Sequence, residues 1–389
     1  MDSKPAQVVA ALVTGRGSAA ISSIQVFGPG AGEVLDKIFR EVSQKPERFS
    51  VGRIYHGHII DSAGEVVDEV VLGCEGEGDF CISCHGNVLI VEEILELLKS
   101  AGAGIVDPEE IIELQGRTAY GDDTISVEAQ MVMARVTTAD GARIVAHQRQ
   151  MGLKQACKWL LDNIDVMDSN DIAAVAKEIL RDSRVGKYFI EGARVVLAGP
   201  PNSGKSTIFN KFCGREKAIV TDLAGTTRDW LSGCVRLSNI FVEIFDTAGL
   251  DESLALRGSI DLASQNRAKE LLASADLVVA VFDGSRDIKQ QCPCDLADRL
   301  VVFNKSDLGV SESNRRFEDA VVMSAENDEG ITKLAAAIEE ELGLSGFDMQ
   351  KTVCFTDRQF SLMEQVSSSR DKEKIRTLIT ELLSGEISV

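Results

Sequence analysis

One short segment restricts the fold more than any other part of the 389-residue chain. An apolar run, Val195 to Ala198, leads into Gly199-Pro200-Pro201-Asn202-Ser203-Gly204-Lys205-Ser206, and Thr207 begins a stretch with helical spacing. A strand, a glycine-rich loop and a helix in that order form a phosphate cradle. Glycines let successive backbone N–H groups wrap phosphate oxygens, and the helix adds the positive end of its dipole. Lys205 is then placed to reach the β and γ phosphates, and Ser206 to ligate Mg²⁺.

Three further motifs follow in a fixed order. Val242-Glu243-Ile244-Phe245 reads as a strand ending in Asp246-Thr247-Ala248-Gly249. Asp246 can hold Mg²⁺ through water, and the Gly249 N–H can meet the γ-phosphate. A second buried strand ends in Asn304-Lys305-Ser306-Asp307. A carboxylate at Asp307 can accept hydrogen bonds from both guanine N1–H and the 2-amino group, a pair that adenine does not offer. Ser324, Ala325 and Glu326 follow a third strand, and their backbone can contact guanine O6. Thr227, between the phosphate loop and Asp246, is placed to complete the Mg²⁺ shell when a γ-phosphate is present. Together these motifs imply a site for GTP and GDP between about residues 192 and 344, and an ATP site would require Asp307 to be a coincidence.

The remaining chain is organised around that segment. Residues 1–118 alternate short strands and turns with amphipathic helices and read as an α+β domain. A helix is expected from Ala31, with Val34, Leu35, Ile38 and Phe39 on one face, and another from Val88 to Gly102. Residues 126–136, 151–165, 168–182, 355–369 and 371–385 read as helices, with Asp168 or Ser169 available as a cap, so 119–191 and 345–389 are taken as the two pieces of one helical domain. The expected fold is therefore an α/β P-loop GTPase domain at 192–344 inserted in a helical domain, preceded by an α+β N-terminal domain. No apolar run reaches the roughly 18 residues that span a bilayer, so a cytoplasmic protein with reduced cysteines is expected. The net charge is −20 and no basic domain or stripe stands out in the sequence, so any tRNA is expected to be held indirectly or with a partner.

The segments GPPNSGKST, TDLAGTTRDW, DTAGL, NKSD and SAEN closely resemble the bacterial tRNA-modification GTPase family MnmE, also called TrmE. GRGSAAISSIQVFGPGA, CHGNVLIVEEILELL and FTDRQFSLMEQV resemble other parts of that family, so the likeness covers nearly the whole chain. The resemblance implies a potassium-activated GTPase in wobble-uridine modification, a homodimer through the N-terminal domain, and a flavoprotein partner of the MnmG type. It implies a potassium cage from Asn202 with backbone oxygens at Thr221, Leu223 and Thr226. Leu250 stands where Ras-type enzymes carry a glutamine, so another residue must orient the attacking water. The resemblance points to Asp261 for that role, with Glu252 as the second candidate.

Several positions depart from the family pattern. The family binds a formyl-tetrahydrofolate, but Gln25 stands where an Arg is expected and Cys81 where an acid is expected. The chain stops at Ser388-Val389, where the family pattern has Cys-x-Gly-Lys. These departures argue against folate binding and keep open an alternative, a GTP-dependent regulatory switch without modification chemistry. Cys81-Ile82-Ser83-Cys84-His85 has haem-attachment spacing, and Cys292 and Cys294 form a close pair, but both read first as ordinary strand and loop residues. A ribosome-assembly GTPase would share the nucleotide motifs, but no basic KH-like domain accompanies them.

Overall fold

Alternating apolar and polar residues build the first sheet. Ile24, Val26, Leu72 and Ile82 are buried on one face, while Ser23, Gln25, Gly73 and Cys81 alternate onto the other. The structure is a computed structural model that describes residues 8–15, 17, 19–42, 49–215, 231–246, 270–291 and 299–385. The chain divides into two compact units, residues 1–131 with 384–389, and residues 132–383.

In the first unit the strands are β1 (Val9–Leu12), β2 (Ile21–Phe27), β3 (Phe39–Glu41), β4 (Ile54–Ile60), β5 (Val66–Gly76), β6 (Asp79–His85) and β7 (Gly104–Ile105). Their order is β3-β4-β5-β6-β2-β1-β7, antiparallel except where β7 joins β1. Helices α1 (Ala31–Ile38) and α2 (Val88–Ala101) lay Leu35, Ile94 and Leu98 on the buried face. Each such side chain stabilises the fold by roughly 1.5–3 kcal/mol. Gly102, at φ 114°, ends α2 in the left-handed conformation that favours glycine. On the other face, Ile111 of α3 (Pro108–Tyr120) packs against Val9 and Ala11.

The expected helix face ending in Phe39 is corrected. α1 stops at Ile38, and Phe39 turns extended (φ −104°, ψ 138°) to open β3 opposite Ile59. Its ring lies over Gly57, where an added Cβ would stand 2.5 Å from the ring and 2.3 Å from the Arg40 carbonyl oxygen. Strand pairing and a ring seated on a bare backbone override the helical spacing. Two helices, α3 and α5, fall in stretches that apolar spacing does not mark.

The second unit contains α5 (Ala139–Gln150), α6 (Leu153–Asn163) and α7 (Ser169–Glu191), after α4 (Thr124–Met133), which crosses the division. Asp168 caps α7, accepting a 2.7 Å bond from the Asn170 N–H. A six-stranded sheet follows: β8 (Ala193–Ala198), β9 (Leu231–Leu237), β10 (Ile240–Asp246), β11 (Leu277–Asp283), β12 (Leu300–Asn304) and β13 (Val321–Val322). Its order is β13-β12-β11-β8-β10-β9, parallel except for the β9 edge. Helix α8 (Lys205–Arg215) follows β8, and the chain closes with helices Ile331–Glu341, Asp357–Ser368 and Lys372–Ser384. No helix among the described residues is long and apolar enough to cross a membrane.

Residues 351–354 return to α5–α7 through buried polar contacts. Gln148 is fully buried, and its Oε1 accepts from Leu153 N at 2.9 Å and Val353 N at 3.0 Å. Its Nε2 donates to Lys351 O at 2.9 Å. Ser183 Oγ accepts from Cys354 N at 2.7 Å. Replacing Gln148 with Ala leaves two buried N–H groups without their acceptor, a cost of roughly 2–4 kcal/mol. Gln148→Ala is expected to lower the melting midpoint by roughly 5–10 °C, measured by calorimetry on the full chain.

Candidate nucleotide-binding site

The second sheet ends its parallel strands on one side. Asp246 of β10 is in register with Leu197 of β8, Ala280 of β11 with Ala198, and Asp283 of β11 with Asn304 of β12. Ligands of open parallel sheets sit outside these carboxyl ends. The loop from Gly199 to Gly204 leaves β8 at that edge, and α8 begins at Lys205.

Two glycines in the loop have no alternative. Gly199 has φ 144°, and a Cβ there would stand 2.1 Å from Val281 O. Gly204 has φ 98°, and a Cβ would stand 2.1 Å from Asn304 Nδ2. Asn202 is itself left-handed at φ 60°, which asparagine tolerates better than most residues. Lys205 is 3% exposed, and its Nζ donates to Gly199 O at 2.9 Å and Pro200 O at 3.0 Å. The ammonium therefore lies within the loop. Ser206 is exposed and Thr207 half-buried at the start of α8. Ser203 is buried, and its Oγ has no hydrogen-bond partner among the described residues.

Asn304 ties this loop to the other half of the site. It is 3% exposed; Nδ2 donates to Ser203 O at 2.9 Å and Oδ1 accepts from Ala325 N at 2.9 Å. Asp307 accepts a 2.5 Å bond from the Ser324 hydroxyl. Ser324 and Glu329 exchange two backbone hydrogen bonds of 3.0 Å, which fixes the turn that carries Ala325 and the exposed Glu326. Asn202, Ser203, Gly204, Lys205, Asp246, Asn304, Lys305, Asp307 and Ser324–Glu326 thus all lie at one sheet edge or its adjoining turns. Thr221, Leu223, Thr226, Thr227, Thr247, Ala248, Gly249, Glu252 and Asp261 lie outside the described residues, as do Cys292 and Cys294.

Sequence reasoning missed the support beneath Lys305. Asp283 Oδ2 accepts from Lys305 Nζ at 3.0 Å, and its Oδ1 accepts from Ser285 Oγ at 2.6 Å and Ser285 N at 3.0 Å. Burial pushes the Asp283 carboxyl up, but the Ser285 donors and the Lys305 ammonium outweigh it and hold it below the ordinary 3.8. Gln291 brackets the Asp283 backbone, accepting from its N–H at 2.9 Å and donating to its carbonyl at 2.8 Å. Buried Asn314 holds the same loop through Gly284 O and Arg286 O. The available signal was the Asp-Gly pair at the end of an apolar strand.

In the first unit, Gln25 is 6% exposed, and its Nε2 donates to Glu75 at 3.1 Å and Asp79 at 2.7 Å. Gln115 also donates to Asp79, at 3.0 Å. Burial, and then Glu75, pushes the Cys81 thiol up. Cys84 is buried with Sγ toward Ser22 O at 3.4 Å, so the two thiols of the Cys81–His85 motif fall on alternate faces of β6.

Two outcomes follow from the site's hydrogen bonds. Ser324→Ala removes a charge-assisted bond from Asp307 and is expected to weaken GDP binding about tenfold, read by titration calorimetry. Because the folded Asp283 pKa is depressed, its stabilisation is present above the ordinary aspartate value and is lost as pH falls through the folded value. Asp283→Asn should therefore melt earlier than the parent protein at pH 7, and the gap should narrow below about pH 4 in melts across that range.

Comparison with known proteins extends these observations over the rest of the chain. Residues 8–111 match the family described as "GTP-binding protein TrmE N-terminus", and residues 194–305 match "50S ribosome-binding GTPase". A tRNA modification GTPase MnmE from Natranaerobius thermophilus is 30% identical over 426 residues, spanning 96% of this chain and 91% of that protein. Its counterpart from Streptococcus suis is 29% identical over 418 residues, spanning 95% and 89%. Among solved structures, the FeoB G-domain from Methanococcus jannaschii is 23% identical, with a TM-score of 0.29, covering 39% of this chain and 97% of that one. Similarity that runs through both units, well beyond the nucleotide motifs, places this chain in the MnmE family of GTPases.

Proposed function

We propose that this chain hydrolyses GTP in the service of tRNA modification, the activity for which its full-length relatives are named. The observation that carries the nucleotide part is the Asn304 carboxamide, which joins the phosphate loop to the turn beside Asp307. Lys205 and the loop N–H groups hold the phosphates, and the orphaned Ser203 hydroxyl is a further donor facing no protein acceptor among the described residues. Asp307 accepts from guanine N1–H and the 2-amino group, while Ser324, Ala325 and Glu326 meet O6. The guanine ring lies along the Lys305 stem that Asp283 fixes.

The residues fit a hard divalent cation. Ser206 offers a hydroxyl at the start of α8, Asp246 a carboxylate at the end of β10, and Thr227 completes the set. Mg²⁺ there neutralises phosphate charge. Asn202, with the backbone of Thr221, Leu223 and Thr226, forms the potassium site, and Asp261 orients the water, with Glu252 as its substitute. Whole-length similarity favours this reading over a switch without modification chemistry.

The residues do not fit folate. Where an arginine would meet an anionic ligand, the Gln25 amide is held between two carboxylates, and Cys81 is a neutral thiol. These substitutions argue against formyl-tetrahydrofolate as a ligand, and calorimetry with it should show no saturable heat. Residues 119–191 and 345–389 form one helical domain around the inserted 192–344 segment, supported by the Gln148 and Ser183 contacts. The first unit pairs two copies, and a flavoprotein of the MnmG type joins them at tRNA.

GTP turnover by the purified chain tests the reading. Turnover is expected to be at least about tenfold faster in potassium than in sodium, the scale of one preorganised charge in the transition state. Asn202→Ala should lose the difference between the salts, and Asp261→Ala should lose turnover in both while GTP still binds. Equal turnover in both salts by the parent protein would defeat the cation assignment.

A further inference from the structure

The first unit holds a cavity that none of the nucleotide motifs lines. Its volume is about 480 Å³, and it opens between the end of β1, the first half of α2 and the chain from Ile105 to Pro108. Cavities that take small ligands run from about 300 to 1,000 Å³. Val88, Val91, Glu92 and Leu95 recur at the spacing of one helix face and form the α2 wall. Leu12, Ile105 and Pro108 extend the apolar lining, and Ser22 of β2 also lines the space. Ser22 shares its side of the strand with Ile24 and Val26, opposite Gln25. The cavity is therefore distinct from the Gln25 and Cys81 positions at which the family resemblance implies folate contacts.

Two polar side chains of this cavity have no task within the protein. Ser22 is only 2% exposed, yet its hydroxyl has no hydrogen-bond partner among the described residues. Its carbonyl oxygen, not its hydroxyl, accepts from Cys84 Sγ at 3.4 Å. Glu92 is the one carboxylate in the α2 wall; it is exposed, and no cation among the described residues pairs with it. Lys99, on the same helix, is engaged by Glu96 at 3.4 Å. Asp107 stands between Val106 and Pro108, which both line the cavity, and makes no side-chain cap bond to α3. The rim is thus acidic, the walls are apolar and a free hydroxyl lies deep.

Ordinary packing and ordered water do not account for this arrangement. A close-packed core closes on its side chains and leaves few voids larger than a water molecule. An ordered water needs two to four polar partners, and beside Ser22 the walls present carbon at Leu12, Val91, Leu95 and Ile105. A buried hydroxyl left unpaired is costly, so an occupant that brings an acceptor to Ser22 regains that bond. A carboxylate without a counter-ion at the mouth selects the sign of the occupant's charge.

We propose that this cavity binds a small organic ammonium with an apolar body about the size of one aromatic ring. The ammonium meets Glu92 at the mouth, the body lies against Val91, Leu95 and Ile105, and a polar atom at its far end accepts from Ser22 Oγ. The acidic rim turns away carboxylates and phosphates of the same size. The site stands apart from the GTP and tRNA reading, and its residues have no part in the nucleotide site.

The test titrates the methyl-labelled full chain by NMR with four probes of one size: tyramine, phenethylamine, 4-ethylphenol and 3-(4-hydroxyphenyl)propionate. Tyramine should shift the methyl signals of Val91, Leu95 and Ile105 saturably. Phenethylamine, which lacks the phenolic oxygen, should bind about 2- to 10-fold more weakly. 4-Ethylphenol, which lacks the ammonium, should bind about 2- to 5-fold more weakly than tyramine, and the propionate weakest of all. Ser22→Ala should bring tyramine down to the affinity of phenethylamine, and Glu92→Gln should bring it down to that of 4-ethylphenol. Melting midpoints and GDP affinities equal to those of the parent protein show that both variants are folded. No saturable shift at those methyls with tyramine at about 10 mM would overturn the site. Equal binding of tyramine and the propionate would overturn the assignment of a cation, as would tyramine affinity unchanged in Glu92→Gln. Unchanged tyramine affinity in Ser22→Ala would overturn the place given to the buried hydroxyl.

Discussion

One buried carboxamide holds the nucleotide site together. Asn304 donates to the phosphate loop at Ser203 O and accepts from Ala325 N in the turn beside Asp307. Both bonds run between groups that cannot reach water, where a lost partner costs far more than an exposed one. Gly204 makes the arrangement possible, because a side chain there would occupy the place of Asn304 Nδ2. Residues about 100 positions apart, Ser203 and Asn304, are thus held in one geometry. Phosphate capture and base selection depend on the same group. Asp283 and Ser324 extend the principle, each orienting a charged neighbour through hydrogen bonds of 3.0 Å and 2.5 Å.

The second sheet was legible because each strand is short, apolar and terminated by a residue with a chemical task. Val195 to Ala198 end at a phosphate loop, and Leu300–Asn304 ends at the base-selecting segment. Such signals are local and need no tertiary information. Phe39 illustrates the opposite case: its helical spacing was real, but its pairing with Ile59 and its seat over Gly57 depend on residues twenty positions away. Helix α5 was hidden because its buried side includes Gly141 and Gln148, which carry no apolar signal. Asp283, Gln291 and Asn314 were missed for a related reason, since a side chain whose task is to hold a loop has no motif of its own.

Charge shows the same limit of averages. A net charge of −20 suggests a surface that repels nucleic acid, and the whole-chain value is a sound guide to solubility. It says nothing of how charge is distributed. The carboxylates of Glu75 and Asp79 around Gln25 are one such local concentration of charge. Recognition depends on such local fields within roughly a Debye length, about 8 Å at physiological salt.

The most direct test of the account is the GDP affinity of Asn304→Ala against the parent protein, by calorimetry at matched Mg²⁺. If one carboxamide couples the phosphate loop to the base-selecting turn, losing its two buried bonds should weaken GDP binding by about 100-fold or more, without loss of the folded sheet by circular dichroism. An affinity within about threefold of the parent protein would mean that the two halves of the site hold their geometry independently, and would contradict the account.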